Sequence, residues 1–143
     1  MLFKSAFISF LSHATEDEEK LLEQLSLFFN LNKKFFKRSR LEGYFDNPII
    51  KFDAQVLGDK ADEIAKLIMR RLNDYDRLYL SKHLEDFIDS HGDLHLRINK
   101  QGIFKGMVKL EQADSIKIRL KSLKGSRYRK EALQAYLKLI NEG

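Results

Sequence analysis

Apolar residues fall on both sides of the stretch from Lys4 to His13, with Ala6, Ile8 and Phe10 on one face and Phe7 and Leu11 on the other. A strand apolar on both faces belongs in the middle of a sheet. Thr15 then precedes Glu16, Asp17, Glu18 and Glu19. This predicts a capping box between Thr15 and Glu18, with acids in the first turn where the helix dipole favours them. The helix runs to about Phe29 and buries Leu21, Leu22, Leu25, Phe28 and Phe29. Lys33 to Glu42 is β-compatible without clean alternation, and Gly43 to Pro48 supplies turn chemistry, with Asn47 held extended by the following proline. From Ile49 the alternation is clear: Ile50, Phe52, Ala54 and Val56 oppose Lys51, Asp53 and Gln55. A second helix is predicted over Asp59 to Leu72 on Ala61, Ala65, Ile68 and Leu72, and a third over Asp76 to Ile88 on Leu80, Leu84, Phe87 and Ile88. Two more half-apolar strands follow, one on Leu94, Leu96 and Ile98, the other on Ile116, Ile118 and Leu120. A last helix starts at Gly125-Ser126 and reaches about Asn141, buried through Ala132, Leu133, Tyr136, Leu137 and Ile140.

Strands with one apolar and one polar face predict an α+β fold, a largely antiparallel sheet with helices packed on one face as a two-layer sandwich. The other face stays open to a ligand. With 143 residues and neither a repeat nor a linker, the chain reads as a single domain, 1–143. Its 43% hydrophobic content, with 11 Phe and a single Pro, excludes a disordered chain. No apolar run approaches a membrane span, and the first residues lead into a strand rather than a cleavage site, so a soluble, unprocessed, cytoplasmic protein with no membrane partner is expected. The absence of cysteine removes disulfides, thiolate metal sites and thiol nucleophiles.

Charge changes the picture only when divided along the chain. The net charge is +5, yet residues 1–100 carry 16 Lys and Arg against 17 Asp and Glu, while residues 101–143 carry 10 against 4. Two stretches are densely basic: Lys33 to Arg40 (KKFFKRSR), and Lys100 to Lys130, whose only acids are Glu111 and Asp114. Such clusters attract polyanions. The row Lys117, Arg119 and Lys121 projects three cations from one side of a strand at intervals of about 7 Å, suited to an extended phosphate backbone or, more plainly, to solvent. Arg127, Arg129 and Lys130 lie where the last helix starts, an end that repels cations unless a bound phosphate reverses the balance; solvent screening and Glu131 are the plain alternative. Phe35 and Phe36 among the first run's cations either stack on bases or fill the core. Of the four histidines only His91 and His95 are close, without helical ligand spacing, so no metal site and no cofactor are expected. No nucleotide-binding, hydrolase or metalloprotease motif occurs, and Asp46 with Asp53 is the one carboxylate pair to weigh for a nuclease.

Three motifs in order, His13-Ala14-Thr15-Glu16-Asp17-Glu18-Glu19-Lys20, Asn47-Pro48-Ile49 after Gly43, and Leu96-Arg97-Ile98-Asn99-Lys100-Gln101, resemble the archaeal RNA-binding family of predicted exosome-associated proteins with a ribosomal-protein-L5-like fold. The resemblance covers residues 5–121. The family's middle motif reads Gly-His-x-Gly-Asn-Pro where this chain has Gly43-Tyr44-Phe45-Asp46-Asn47-Pro48, so no loop histidine carries over; its later motif usually has Asp where Asn99 stands. The resemblance implies RNA as ligand, no catalysis, and Asn47, Arg97, Lys100 and Gln101 at the site. Added to the cations Lys33, Lys34, Lys37, Arg38, Arg40, Lys117, Arg119, Lys121, Lys124, Arg127, Arg129 and Lys130, these form the expected RNA-binding set. The expectation is a non-catalytic RNA-binding accessory of RNA processing, the exosome or translation. The alternative is a protein-interaction module docking on an RNA-processing complex without direct RNA recognition.

Overall fold

A computed structural model describes residues 1–42, 47–123, 127 and 129–142. Its elements, in chain order, are β1 (Phe3–Ser12), α1 (Glu18–Phe29), β2 (Phe36–Leu41), β3 (Ile49–Leu57), α2 (Asp59–Arg71), α3 (Asp74–Lys82), β4 (Leu94–Asn99), β5 (Ser115–Ser122) and α4 (Arg129–Glu142). The strands form one antiparallel sheet in the order β2-β3-β1-β5-β4. The strand that is apolar on both sides therefore sits in the centre, as its pattern requires.

Helices cover one face of this sheet, and the fold is the two-layer α+β sandwich read from the alternation. The core lies between the layers and is continuous: Phe10 stacks on Phe52 at 5.1 Å and meets Phe36 edge-on, while Phe3 stacks on Tyr136 of α4 at 5.2 Å. Apolar burial of this kind supplies the dominant stabilisation. Gly58 joins β3 to α2 with no intervening loop, at φ 57°, a conformation that favours glycine.

Three local expectations are corrected. The first helix is capped by Asp17, whose side chain accepts from the Lys20 amide, and not by a Thr15–Glu18 box. Residues 13–16 are spent on a turn instead, with the Glu16 amide donating to the His13 carbonyl and the His13 amide to the Glu16 carboxylate. The third helix is two pieces, because His83 leaves helical geometry at φ −116°, ψ 26°; α3 ends there and a 3-10 turn (Leu84–Phe87) follows. The last helix is described from Arg129 onward, and its expected start at Gly125-Ser126 lies outside the described residues. Lys33 to Glu42, read as β-compatible from its start, opens with a 3-10 turn (Lys33–Phe35) before β2. None of the helices is long and apolar enough to cross a membrane among the described residues.

Candidate nucleic-acid interface

Strand register decides which cations share a surface. Directly paired residues of an antiparallel sheet project to the same face, so the pairings Lys37–Asp53, Asp53–Ser9, Ser9–Lys117 and Lys117–Arg97 trace one row across all five strands on the open face. The next row runs Gln55–Phe7–Arg119–His95, and the one beyond it Leu57–Ser5–Lys121. The β5 cations thus form a rail, with His95 and Arg97 of β4 beside it.

The members of this surface differ in what they are doing. Arg97, Lys117 and Lys121 have no ion-pair partner among the described residues. Arg119 does: its Nη2 lies 2.9 Å from Oδ2 of buried Asp93, and its guanidinium sits over the Phe7 ring at 5.4 Å. Asp93 also accepts from the Ser122 amide at 2.8 Å. Arg119 is therefore a fixed guanidinium whose charge is largely answered from within. His95 Nε2 lies 2.8 Å from Asp89 Oδ2. Burial works against the Asp89 carboxylate, but hydrogen bonds from His95 and from the Asp93 and His91 amides hold its pKa below the ordinary range.

Lys100 is not on the surface. Its side chain is 1% exposed, and Nζ donates to the Leu11 carbonyl (2.7 Å), Glu16 Oε1 (2.9 Å) and Asp114 Oδ1 (3.0 Å). An ammonium has three donors and all are used. As a phosphate contact Lys100 is thus corrected: it is an internal clip that ties β4's exit to the turn after β1. His13 Nε2 meets the same Asp114 carboxylate at 2.9 Å. Burial raises the Asp114 pKa, but the hydrogen bonds from His13 and Lys100, with their charges, bring it below the ordinary value. His13, Glu16 and Asp114 could each turn one ligand atom towards a metal ion, all within 4.8 Å. Lys100 already occupies that role, so a metal would have to displace its ammonium.

The Lys33–Arg40 run divides. Lys33 and Lys34 sit exposed in the 3-10 turn at the sheet's edge, and Lys37 faces the open side. Arg38 and Arg40 pair with the inward-facing Phe52 and Ile50 and so project from the helix side, where the Arg38 guanidinium bonds the Glu18 carboxylate. Phe36 is core and Phe35 is exposed. Exposed Asn47 precedes Pro48, which lines a cleft with Ser12, His13, Arg38 and Arg40. Gln101 is exposed in the 3-10 turn after Lys100. Arg129 donates from Nε to the Asp89 carbonyl at 3.3 Å, which sets the start of α4 near the His95 end of the rail; Lys130 is exposed, and Arg127 precedes the helix. Lys124 and Asp46 fall outside the described residues. What sequence reasoning missed is the Lys100 clip and the Arg119–Asp93 pair, since neither a buried ammonium nor a salt bridge 26 residues apart leaves a periodic signal.

Residues 6–122 match the model of a protein family described as RNA binding. The chain belongs to this RNA-binding family. The matched span takes in β1 from Ala6 onward, the other four strands and all three motifs that carry the resemblance. Within the family the chain is 35% identical over 127 residues to an RNA-binding protein of Pyrococcus abyssi, covering 85% of this chain and 82% of that one. It is also 30% identical over 121 residues to an uncharacterised protein of Methanocaldococcus jannaschii, at 80% of each. Among solved structures, a DUF54 protein from Methanothermobacter thermautotrophicus superposes with a TM-score of 0.80 at 23% identity, over 98% of this chain and 99% of that chain. Asn99, at the position where the family motif departs, donates to Glu111 (3.4 Å) and accepts from the Gly102 amide (2.6 Å). An aspartate there would face Glu111 without a proton to offer.

Proposed function

We propose that this chain binds RNA across the open face of its sheet, as a non-catalytic, cytoplasmic accessory of RNA processing, the exosome or translation, acting as one domain over residues 1–143. The observation that carries the reading is the group Arg97, Lys117 and Lys121, three cations without an ion-pair partner among the described residues, on two adjacent strands of one face, with Lys37 about 14 Å away along the same row, three strand spacings. Family membership supports RNA as the polyanion, and the relative from Pyrococcus abyssi bears that name. Phe7, half-buried in the middle of the face, lies under the Arg119 guanidinium and helps fix that cation on the face. Kinship with the ribosomal-protein-L5-like fold belongs to the same proposal.

Affinity in this reading comes mainly from counterion release. Four contacts on a single strand give a slope near −3 in log affinity against log salt, a loss of about 50-fold between 50 and 200 mM. The test is a fluorescence-anisotropy titration against a short single-stranded RNA, an RNA hairpin and the matched DNA at two salt concentrations. Salt-steep binding that prefers RNA is expected. Absence of binding to all three at low salt overturns the proposal.

A second reading, docking on a partner protein, is favoured by a groove of about 470 Å³ on the helix side, floored by Phe28, Ile64, Leu67 and Leu139 and rimmed by Lys66 and Arg70. Co-purification with a defined protein that survives nuclease treatment would favour it over RNA.

A further inference from the structure

The edge of the sheet beyond the cationic rail carries a second feature that charge does not explain. On the nine-residue helix α3, Tyr75, Leu78 and Tyr79 are 78%, 56% and 45% exposed. Tyr75 and Tyr79 are one helical turn apart and share a side of the helix. They open onto a cleft of about 510 Å³ whose opposite wall includes His95 and Arg97, the open-face residues of β4. This is within the range of about 300 to 1,000 Å³ usual for small-ligand sites. Phe87 closes one end, its ring edge-on to Tyr79 at 6.3 Å and 89°. The cleft is held open by pairing outside β4: the Glu111 amide donates to the Arg97 carbonyl and the Asn99 amide to the Lys109 carbonyl, while buried Asp76 of α3 accepts from the Leu110 amide.

Its chemistry sorts a nucleotide into parts. Tyr75, largely solvated, offers a π-face to a base; the Tyr79 ring has one side against the His83 imidazole, centroids 4.5 Å apart and tilted 37°, and can offer only the other. The carboxylates of Asp86 and Glu111, which also line the cleft, repel a phosphate but accept N–H donors from a base edge. Arg97, at the cleft's mouth and next to Lys117 on the open face, is placed for the phosphate instead. We infer that this cleft receives an unpaired nucleobase of a single-stranded RNA, stacked on Tyr75 or Tyr79, while the backbone lies on Arg97 and Lys117. The inference rests on the RNA-binding reading and extends it: the bound strand passes over the β4 edge with a base turned in, so the ligand is single-stranded there.

The test uses the full chain with a short single-stranded RNA carrying one fluorescent 2-aminopurine, and a blunt duplex of the same sequence. Binding of wild-type protein should change the 2-aminopurine emission. The double variant Tyr75→Ala/Tyr79→Ala should lose about tenfold or more in single-strand affinity, with duplex affinity and salt slope unchanged, and Tyr79→Phe should bind as wild type. Should the double variant not fold, Tyr75→Ala alone decides by the same criterion, because its side chain is largely solvated. A folded variant that binds single strands within about twofold of wild type, while Arg97→Glu still weakens binding, removes the base from the cleft and leaves the RNA-binding reading standing. Failure of the wild type to bind either RNA overturns both.

Discussion

The two basic stretches of this chain, five cations in eight residues and ten in 31, have opposite fates, and the denser one is dispersed. In β2 the cations Lys37 and Arg38 are neighbours in sequence, so the pleat sends them to opposite faces, and Arg38 ends beside Glu18 of α1. In β5 the cations Lys117, Arg119 and Lys121 are two residues apart, so the same pleat gathers them on one face. A consecutive run of charge is dispersed by a strand and an alternating one is concentrated. The second stretch has its own exception: Lys100, just past β4, turned inward and was neutralised. Density along the sequence therefore says little about surface potential until the period is read with it.

The largest effect expected from breaking this arrangement is on Lys100. Replacing it by Met keeps the bulk and removes the ammonium, leaving the Leu11 carbonyl and the Glu16 and Asp114 carboxylates without their shared donor. Removing one member of a buried pair costs about 3 to 5 kcal/mol; with Asp114 partly solvated, about 2 to 4 kcal/mol is expected for Lys100→Met, read as a shift of the urea midpoint. Its RNA affinity well below the melting temperature should be unchanged. A stable variant that has lost RNA binding would return Lys100 to the interface.

Next in size is the contrast between rail and edge. Arg97→Glu/Lys117→Glu should lower RNA affinity by about 30-fold or more and flatten the salt slope by more than one unit, since each lost contact takes about 0.7 to 0.9 from it. Lys33→Glu/Arg40→Glu, the same change in net charge on the other stretch, should do markedly less. Equal effects of the two pairs, measured by anisotropy at two salt concentrations, would mean that net charge and not the open face governs binding. Arg119 is unsuited to this test, because removing it strands buried Asp93.

This contrast also shows what could be read from the sequence. Strict alternation in Ile50 to Val56 and Ile116 to Leu120 fixed the strands and their outward residues, and the doubly apolar β1 marked the sheet's centre. The facing of Lys117 and Arg97 followed from that period alone. What stayed illegible depends on contacts between distant segments. Thr15 satisfied every local rule for a cap, but the His13–Glu16 turn consumed the residues it needed, and that turn is held from 84 residues away by Lys100. The break at His83 is equally invisible, because Leu80, Leu84 and Phe87 keep a helical period through it. Strand order, which brings Lys37 into line with Lys117, is a tertiary fact that no period encodes.

A smaller effect is expected in acid. Asp114 and Asp89 are both hydrogen-bonded by a histidine and both titrate below the ordinary carboxylate range. A carboxylate with a depressed pKa in the folded state stabilises it above the unfolded value and loses that contribution as pH falls through the folded one. Stability should therefore fall below about pH 4, and Asp114→Asn should make that fall shallower while lowering the plateau at neutral pH. Melting temperatures measured from pH 7 down to pH 2.5 or so check this. An unaltered acid limb would mean that Asp114 takes no part in it.

The smallest effect should come from the side of the comparison that looks most charged in sequence. Arg38 and Glu18 form an ion pair whose arginine is more than half exposed, and the glutamate draws the Arg38 pKa upward through its hydrogen bond, against a small opposing desolvation. Exposed pairs of this kind contribute little to stability, because two long side chains are ordered in a solvent that screens them. Arg38→Ala should accordingly shift the urea midpoint little. It should also leave RNA affinity within about twofold, since the side chain projects from the helix side of β2 and loses at most one screened charge near the bound strand. A loss comparable with that of the Arg97 and Lys117 pair would place the strand's path on the helix-side cleft of Ser12, His13, Arg38 and Arg40, and the comparison between the two basic stretches would then run the other way.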